Sequence, residues 1–184
     1  MQILYFSRDY TPHDHRFLSA LAQTENQITY LRLEKNPISY EARPLPGKIK
    51  PIAWRGGKST VNWHDGFILL KDIRQILQEI NPDLVLAGPL QRSAFLTALT
   101  GYKPLVSMSW GYDLIFDAQR SIFWSWVTRY TLSRSDVMIG DCKTIHNIAT
   151  GYGMPAERIV TFPWGIDLDK YSPDVVSNQA TEND

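Results

Sequence analysis

Cysteine is almost missing from this chain. Of 184 residues only Cys142 carries a thiol, so no internal disulfide can form and nothing directs the protein to an oxidising compartment. A buried thiol is the expectation for that residue. Net charge is missing too: nineteen Lys and Arg balance nineteen Asp and Glu, which leaves no overall field to draw nucleic acid. No apolar run reaches the roughly 18 residues of a membrane span, and MQILYFSRD has neither the basic start nor the long apolar run of a signal peptide. A cytoplasmic protein is therefore expected. Between the first predicted strand and the first helix there is no G-x-G-x-x-G, so the glycines that admit a pyrophosphate are lacking and NAD or FAD is not expected there. Internal repeats and low-complexity blocks are absent as well.

What is present is an alternation. With 43% hydrophobic and 21% charged residues the composition is that of a soluble globular protein, and the length suits one domain, residues 1–173, followed by a polar tail or linker start over 174–184. Gln2 to Ser7 predicts a buried strand closed by the polar loop Arg8 to Tyr10. Thr11 then offers a helix cap, Pro12 the first helical position and Asp14 a first-turn carboxylate, with Phe17, Leu18, Leu21 and Ala22 at helical spacing. Ile28 to Leu33 reads as a strand. The proline- and glycine-rich stretch 34–62 reads as loop, with a short edge strand over Ile49 to Trp54. From Trp63 to Ile80, Phe67, Leu70, Ile73, Ile76, Leu77 and Ile80 mark an amphipathic helix that Asn81 and Pro82 end.

Asp83 to Gly88 is apolar enough for a parallel strand buried on both faces. Arg92 to Thr100 predicts a helix, Pro104 to Ser109 a strand, and Ala118 to Ser133 a helix with Ile122, Phe123, Trp126, Val127 and Tyr130 along one face and Trp124 elsewhere. Asp136 to Gly140, Lys143 to Tyr152 and Ile159 to Phe162 complete the series as strand, helix and strand. Such alternation predicts an α/β, doubly wound, mainly parallel sheet of about seven strands with helices on both faces, Rossmann-like in type.

On such a sheet ligands bind outside the carboxyl ends of the strands, and three loops there carry suitable residues. RDYTPHDHR sets His13, His15 and Arg16 beside a helix N-terminus that favours anions, which suits a phosphate or a sugar hydroxyl; it reads equally as a solvated helix cap. His13 and His15 stand two apart and turn away from each other, so no shared metal is expected. SMSWGYD offers the flat face of Trp110, a glycine at Gly111 that permits close approach, and the acceptor oxygens of Asp113. Its plainer reading is a tryptophan anchoring a tight turn. In RIVTFPWGIDLDKYSP, Pro163 breaks the last strand, Gly165 frees the backbone, and Asp167 adds a carboxylate, or the run is simply a surface turn. WRGGKST fails the spacing of a P-loop and reads as a solvated loop or an acceptor-side contact. No catalytic residue is assigned.

The stretch with Pro163, Gly165, Ile166, Asp167, Tyr171 and Pro173 resembles the P-x-G-[IV]-D-x-x-x-[FY]-x-P segment of the group-1 family of nucleotide-sugar glycosyltransferases. SMSWGYD resembles that family's small-x-[HW]-G-x-D stretch. Trp164 replaces the family's small polar residue, Trp110 stands where relatives often carry histidine, so no general base transfers, and the common glycine-rich first loop is absent. The resemblance implies the N-terminal, acceptor-side domain of a retaining GT-B enzyme, inactive without a C-terminal domain that holds most of the donor.

It also implies no cofactor and no metal, the nucleotide sugar being a co-substrate. A sugar or lipid-linked sugar acceptor would meet His13, His15, Arg16, Trp110, Gly111 and Asp113, while Trp164, Gly165 and Asp167 would lie at the hinge or cleft. Two rivals stay open: half of a GT-B nucleotide-sugar epimerase, and a non-catalytic flavodoxin-like binding module. A peripheral contact with the inner membrane face, through Trp124 or the 34–62 loop, is a further option that no basic amphipathic stretch supports strongly.

Overall fold

The structure, a computed structural model, describes residues 1–165. Seven parallel strands form one sheet: β1 (Gln2–Ser7), β2 (Gln27–Arg32), β3 (Lys50–Pro51), β4 (Leu84–Gly88), β5 (Leu105–Met108), β6 (Val137–Gly140) and β7 (Ile159–Thr161). The helices are α1 (Pro12–Ala22), α2 (Gly66–Ile80), α3 (Phe95–Thr100), α4 (Tyr112–Ile115), α5 (Ile122–Arg134) and α6 (Lys143–Gly151). The strand order β3-β2-β1-β4-β5-β6-β7 means that the chain builds outward from β1 to one edge, then returns to add β4 to β7 on the other side. The reversal falls between β1 and β4, and a doubly wound sheet opens its ligand crevice at that point.

Successive side chains of a strand point to opposite faces, and β1 feeds two cores. Ile3 and Tyr5 pack with Leu18 of α1, whereas Leu4 and Phe6 pack with Leu69 and Ile73 of α2 and Leu96 of α3. With both faces covered, the central strands need the near-continuous apolar runs seen in the sequence. At the end of β4 a Cβ on Gly88 would lie 2.8 Å from the Met108 carbonyl oxygen and 3.0 Å from the Met108 Cβ, so only glycine lets β4 and β5 close up there.

Several expectations are corrected. The edge strand shrinks to Lys50–Pro51. A π-helical turn, Leu90–Ala94, precedes α3, and a 3-10 turn, Trp63–Asp65, precedes α2. Phe67 faces solvent, while Leu69, Ile73, Ile76 and Leu77 form the buried stripe of α2. The face of α5 that carries Ile122, Phe123 and Trp126 looks outward, at 91%, 60% and 50% exposure, while Val127, Thr128, Thr131 and Leu132 are buried. The threonines tolerate the core because their hydroxyls donate to the carbonyls of Trp124 and Val127, at 2.8 and 2.9 Å. Cys142 is exposed, not buried, at the N-cap position of α6.

Candidate functional site

A cavity of about 250 Å³ occupies the crevice at the switch point. Arg8 and Asp9 enter it from the loop after β1, His13 from the first turn of α1, Pro89 from the end of β4, and Trp110 and Tyr112 from the loop after β5. A larger cavity, about 340 Å³, lies beside β2 and β3, with Tyr30, Arg32, Trp54 and Lys58 in its walls. It sits away from the strand-order reversal, whereas His13, Trp110 and Asp113 line the smaller one.

Local capping sets the position of His13. Thr11 caps α1 through its Oγ1, which accepts from the Asp14 N–H at 3.4 Å, and its own N–H donates to Asp14 Oδ2 at 2.9 Å. The Tyr5 hydroxyl donates to Asp14 Oδ1 at 3.0 Å from the sheet below. Burial nonetheless outweighs these bonds and pushes the Asp14 carboxyl up to about 6. Arg16 Nη2 lies 2.8 Å from His13 Nδ1. A guanidinium can only donate, so Nδ1 accepts and the ring proton resides on Nε2. Desolvation, and secondly the Arg16 charge, hold His13 below its ordinary value, so it is a neutral hydrogen-bonding group near neutral pH.

The three loops meet. The His13 ring stacks on Trp110 with centroids 5.7 Å apart and planes 19° apart, and Trp164 packs on Trp110 at 4.9 Å and edge-on to His13 at 5.6 Å. Phe17 closes the cluster against Trp164 at 4.7 Å. Arg16 also donates to the carbonyl of Gly165. The first helix, the Trp110 loop and the end of the final strand are thus joined around one aromatic cluster. Asp167 lies outside the described residues.

Two carboxylates brace the crevice walls. Asp113 is buried, with Oδ1 accepting from Ser109 Oγ at 2.6 Å and the Leu114 N–H at 3.0 Å, and Oδ2 accepting from the Leu90 N–H at 3.0 Å. It thereby ties the loop after β5 to the start of the turn after β4. Burial raises its carboxyl to about 6. Asp9 does the same for β1 and β2, accepting from Tyr10 N–H at 2.7 Å and from Asn36 N–H and Nδ2 at 3.1 and 2.6 Å. Gly111 holds φ 84° and ψ −57° in the turn before α4, a conformation that side-chain-bearing residues resist.

His15 stands apart from this cavity: its Nδ1 is 2.7 Å from the Tyr10 hydroxyl, on the side of the 34–49 loop. Asn36 and Tyr40 also line the cavity, and no motif marks them, since they lie in a loop whose path no periodicity fixes. Tyr112 stood inside the SWGYD stretch, unremarked. Among the described residues, no three His, Cys, Asp or Glu side chains gather as a metal site, and no helix is long and apolar enough to cross a membrane.

A protein-family model described as Glycosyltransferase Family 4 matches residues 13–170. No curated protein matches. Among solved structures, Anabaena Alr3699/HepE in complex with UDP is similar at 15% identity and TM-score 0.67, over 99% of this chain and 50% of that one. Sucrose-phosphate synthase (tll1590) from Thermosynechococcus elongatus is similar at 12% identity and TM-score 0.68, over 100% and 53%. UDP-N-acetylglucosamine 2-epimerase from Rickettsia bellii is similar at 15% identity and TM-score 0.65, over 100% and 50%. The chain therefore spans about half the length of each, and at these identities the likeness is one of fold.

Proposed function

Because the chain belongs to Glycosyltransferase Family 4, we propose that it is the acceptor-binding half of a retaining, nucleotide-sugar-dependent glycosyltransferase. Its fold is that of a glycosyltransferase-type half-domain. In the reaction proposed, the bond between the anomeric carbon and a nucleoside diphosphate breaks, a bond to an acceptor hydroxyl oxygen forms on the same face of the sugar, and the hydroxyl proton leaves with the nucleoside diphosphate. The observation that carries the acceptor role is the cavity at the switch point, where an aromatic face, a neutral histidine and an arginine meet.

Within it, Trp110 offers ring surface to a pyranose, the Nε2–H of His13 donates to an acceptor oxygen, and Arg8 supplies positive charge to a phosphate. Arg16 acts through His13 by fixing its tautomer. Asp113 and Gly111 act through the shape of the loop that carries Trp110, and His15 through its contact with Tyr10. Trp164 and Gly165 form the cleft edge. The Anabaena protein was solved with UDP and with UDP-glucose, which supports a nucleotide-sugar donor for the whole enzyme. An epimerase reading has the fold alone behind it, whereas the family match favours transfer.

Tryptophan fluorescence and calorimetry test the acceptor role, with methyl glycosides and monosaccharide 1-phosphates as probes. At least one probe is expected to bind and quench, and Trp110→Phe is expected to remove the quench. Heat and quenching absent for every probe, or a quench that survives in Trp110→Phe, overturn it.

A further inference from the structure

We propose that the outer face of α5 docks on an anionic lipid surface. Helix α5 is inside out for a water-facing helix. Its buried stripe includes Thr128 and Thr131, while Ile122, Phe123 and Trp126 look outward, 91%, 60% and 50% exposed. Phe123 and Trp126 lie 6.1 Å apart, and Trp126 stacks on Tyr130 at 5.6 Å. A face this rich in outward rings is uncommon on a chain that stays in water, and marks a contact surface.

Charge decides what it contacts. From Leu114 to Ser135 the exposed charges are Arg120, Arg129 and Arg134, and the one acid, Asp117, is half-buried. Aromatic side chains that settle at the headgroup level, rimmed by arginine, match an anionic bilayer interface. The last described residues, Trp164 and Gly165, pack on α1, which belongs to the core on one face of the sheet. Helix α5 packs through Trp126 and Tyr130 on Phe95 of α3, with the core on the opposite face. Docking itself does not depend on the transferase reading, since vesicle binding needs no sugar.

Cosedimentation of the 184-residue chain with phosphatidylcholine vesicles, with and without phosphatidylglycerol, tests it. Binding is expected to the anionic vesicles only and to fall with added salt. The triple variant Ile122→Ser, Phe123→Ser, Trp126→Ser is expected to bind roughly tenfold more weakly or worse, and Arg120→Glu several-fold more weakly, with unchanged melting curves. If the triple variant does not fold, quenching of tryptophan by brominated lipid, reduced in Trp126→Phe, reads the same contact. Equal binding by the variants, equal binding to neutral vesicles, or no binding at low salt overturns the proposal. So does a dimer in light scattering that the triple variant abolishes, because the occupant is then a second copy.

Discussion

Replacing Asp113 by asparagine changes one oxygen to an NH₂ and little else. The remaining oxygen can keep the bonds from Ser109 Oγ and the Leu114 N–H, but the new amide then faces the Leu90 N–H, donor against donor. One bond is lost in a fully buried setting and a backbone donor is stranded, which costs about 1–3 kcal/mol, against a total stability of order 5–15 kcal/mol. Urea denaturation at pH 7, followed by circular dichroism, should show the midpoint falling with an unchanged slope.

The pH dependence gives a second, independent reading. Burial raises the Asp113 carboxyl from 3.8 to about 6, so the folded chain keeps this proton where the unfolded chain has released it. Its contribution to stability is therefore complete below the unfolded value and is lost as pH rises through about 6. Asparagine does not titrate, and Asp14, raised in the same direction, is common to both proteins and cancels. The advantage of the native residue over D113N should be largest near pH 4 and shrink toward pH 7. A loss under about 0.5 kcal/mol at pH 7 refutes the bonding argument. An advantage that grows with pH means that the three donors outweigh burial, and refutes the stated direction.

Gly88→Ala forces a Cβ to within 2.8 Å of the Met108 carbonyl oxygen, and should lower stability by about 1–3 kcal/mol in thermal or urea melts. Thr11→Ala removes the cap of α1 and should cost about 1 kcal/mol by the same measurement. Incubated with a nucleotide sugar and the best-binding glycoside, the 184-residue chain should release no nucleoside diphosphate in a coupled assay; turnover would show that the donor half is not needed.

Backbone direction was easier to read from the sequence than side-chain orientation. Strands buried on both faces, such as Leu84 to Gly88, announce themselves because both pleats must be apolar, and glycine or asparagine marked the helix ends, Asn81 and Gly101 adopting φ of 46° and 78°. Which side of α5 faces the core is not legible from hydrophobicity, because two threonines satisfy their own hydroxyls and take the inward place that aromatic residues would fill. The meeting of His13 with Trp110 was legible as topology, since both loops end parallel strands. The bracing role of Asp113 was not, because Leu90 lies 23 positions away and belongs to a turn without periodic pattern.

One guanidinium grips two things at once, the imidazole on the cavity wall and the carbonyl where the described backbone leaves the sheet. A molecule that pries His13 off its indole neighbour would therefore also disturb the hold of Arg16 on the Gly165 carbonyl. A lysine at position 16, with a single prong, would let them slip independently.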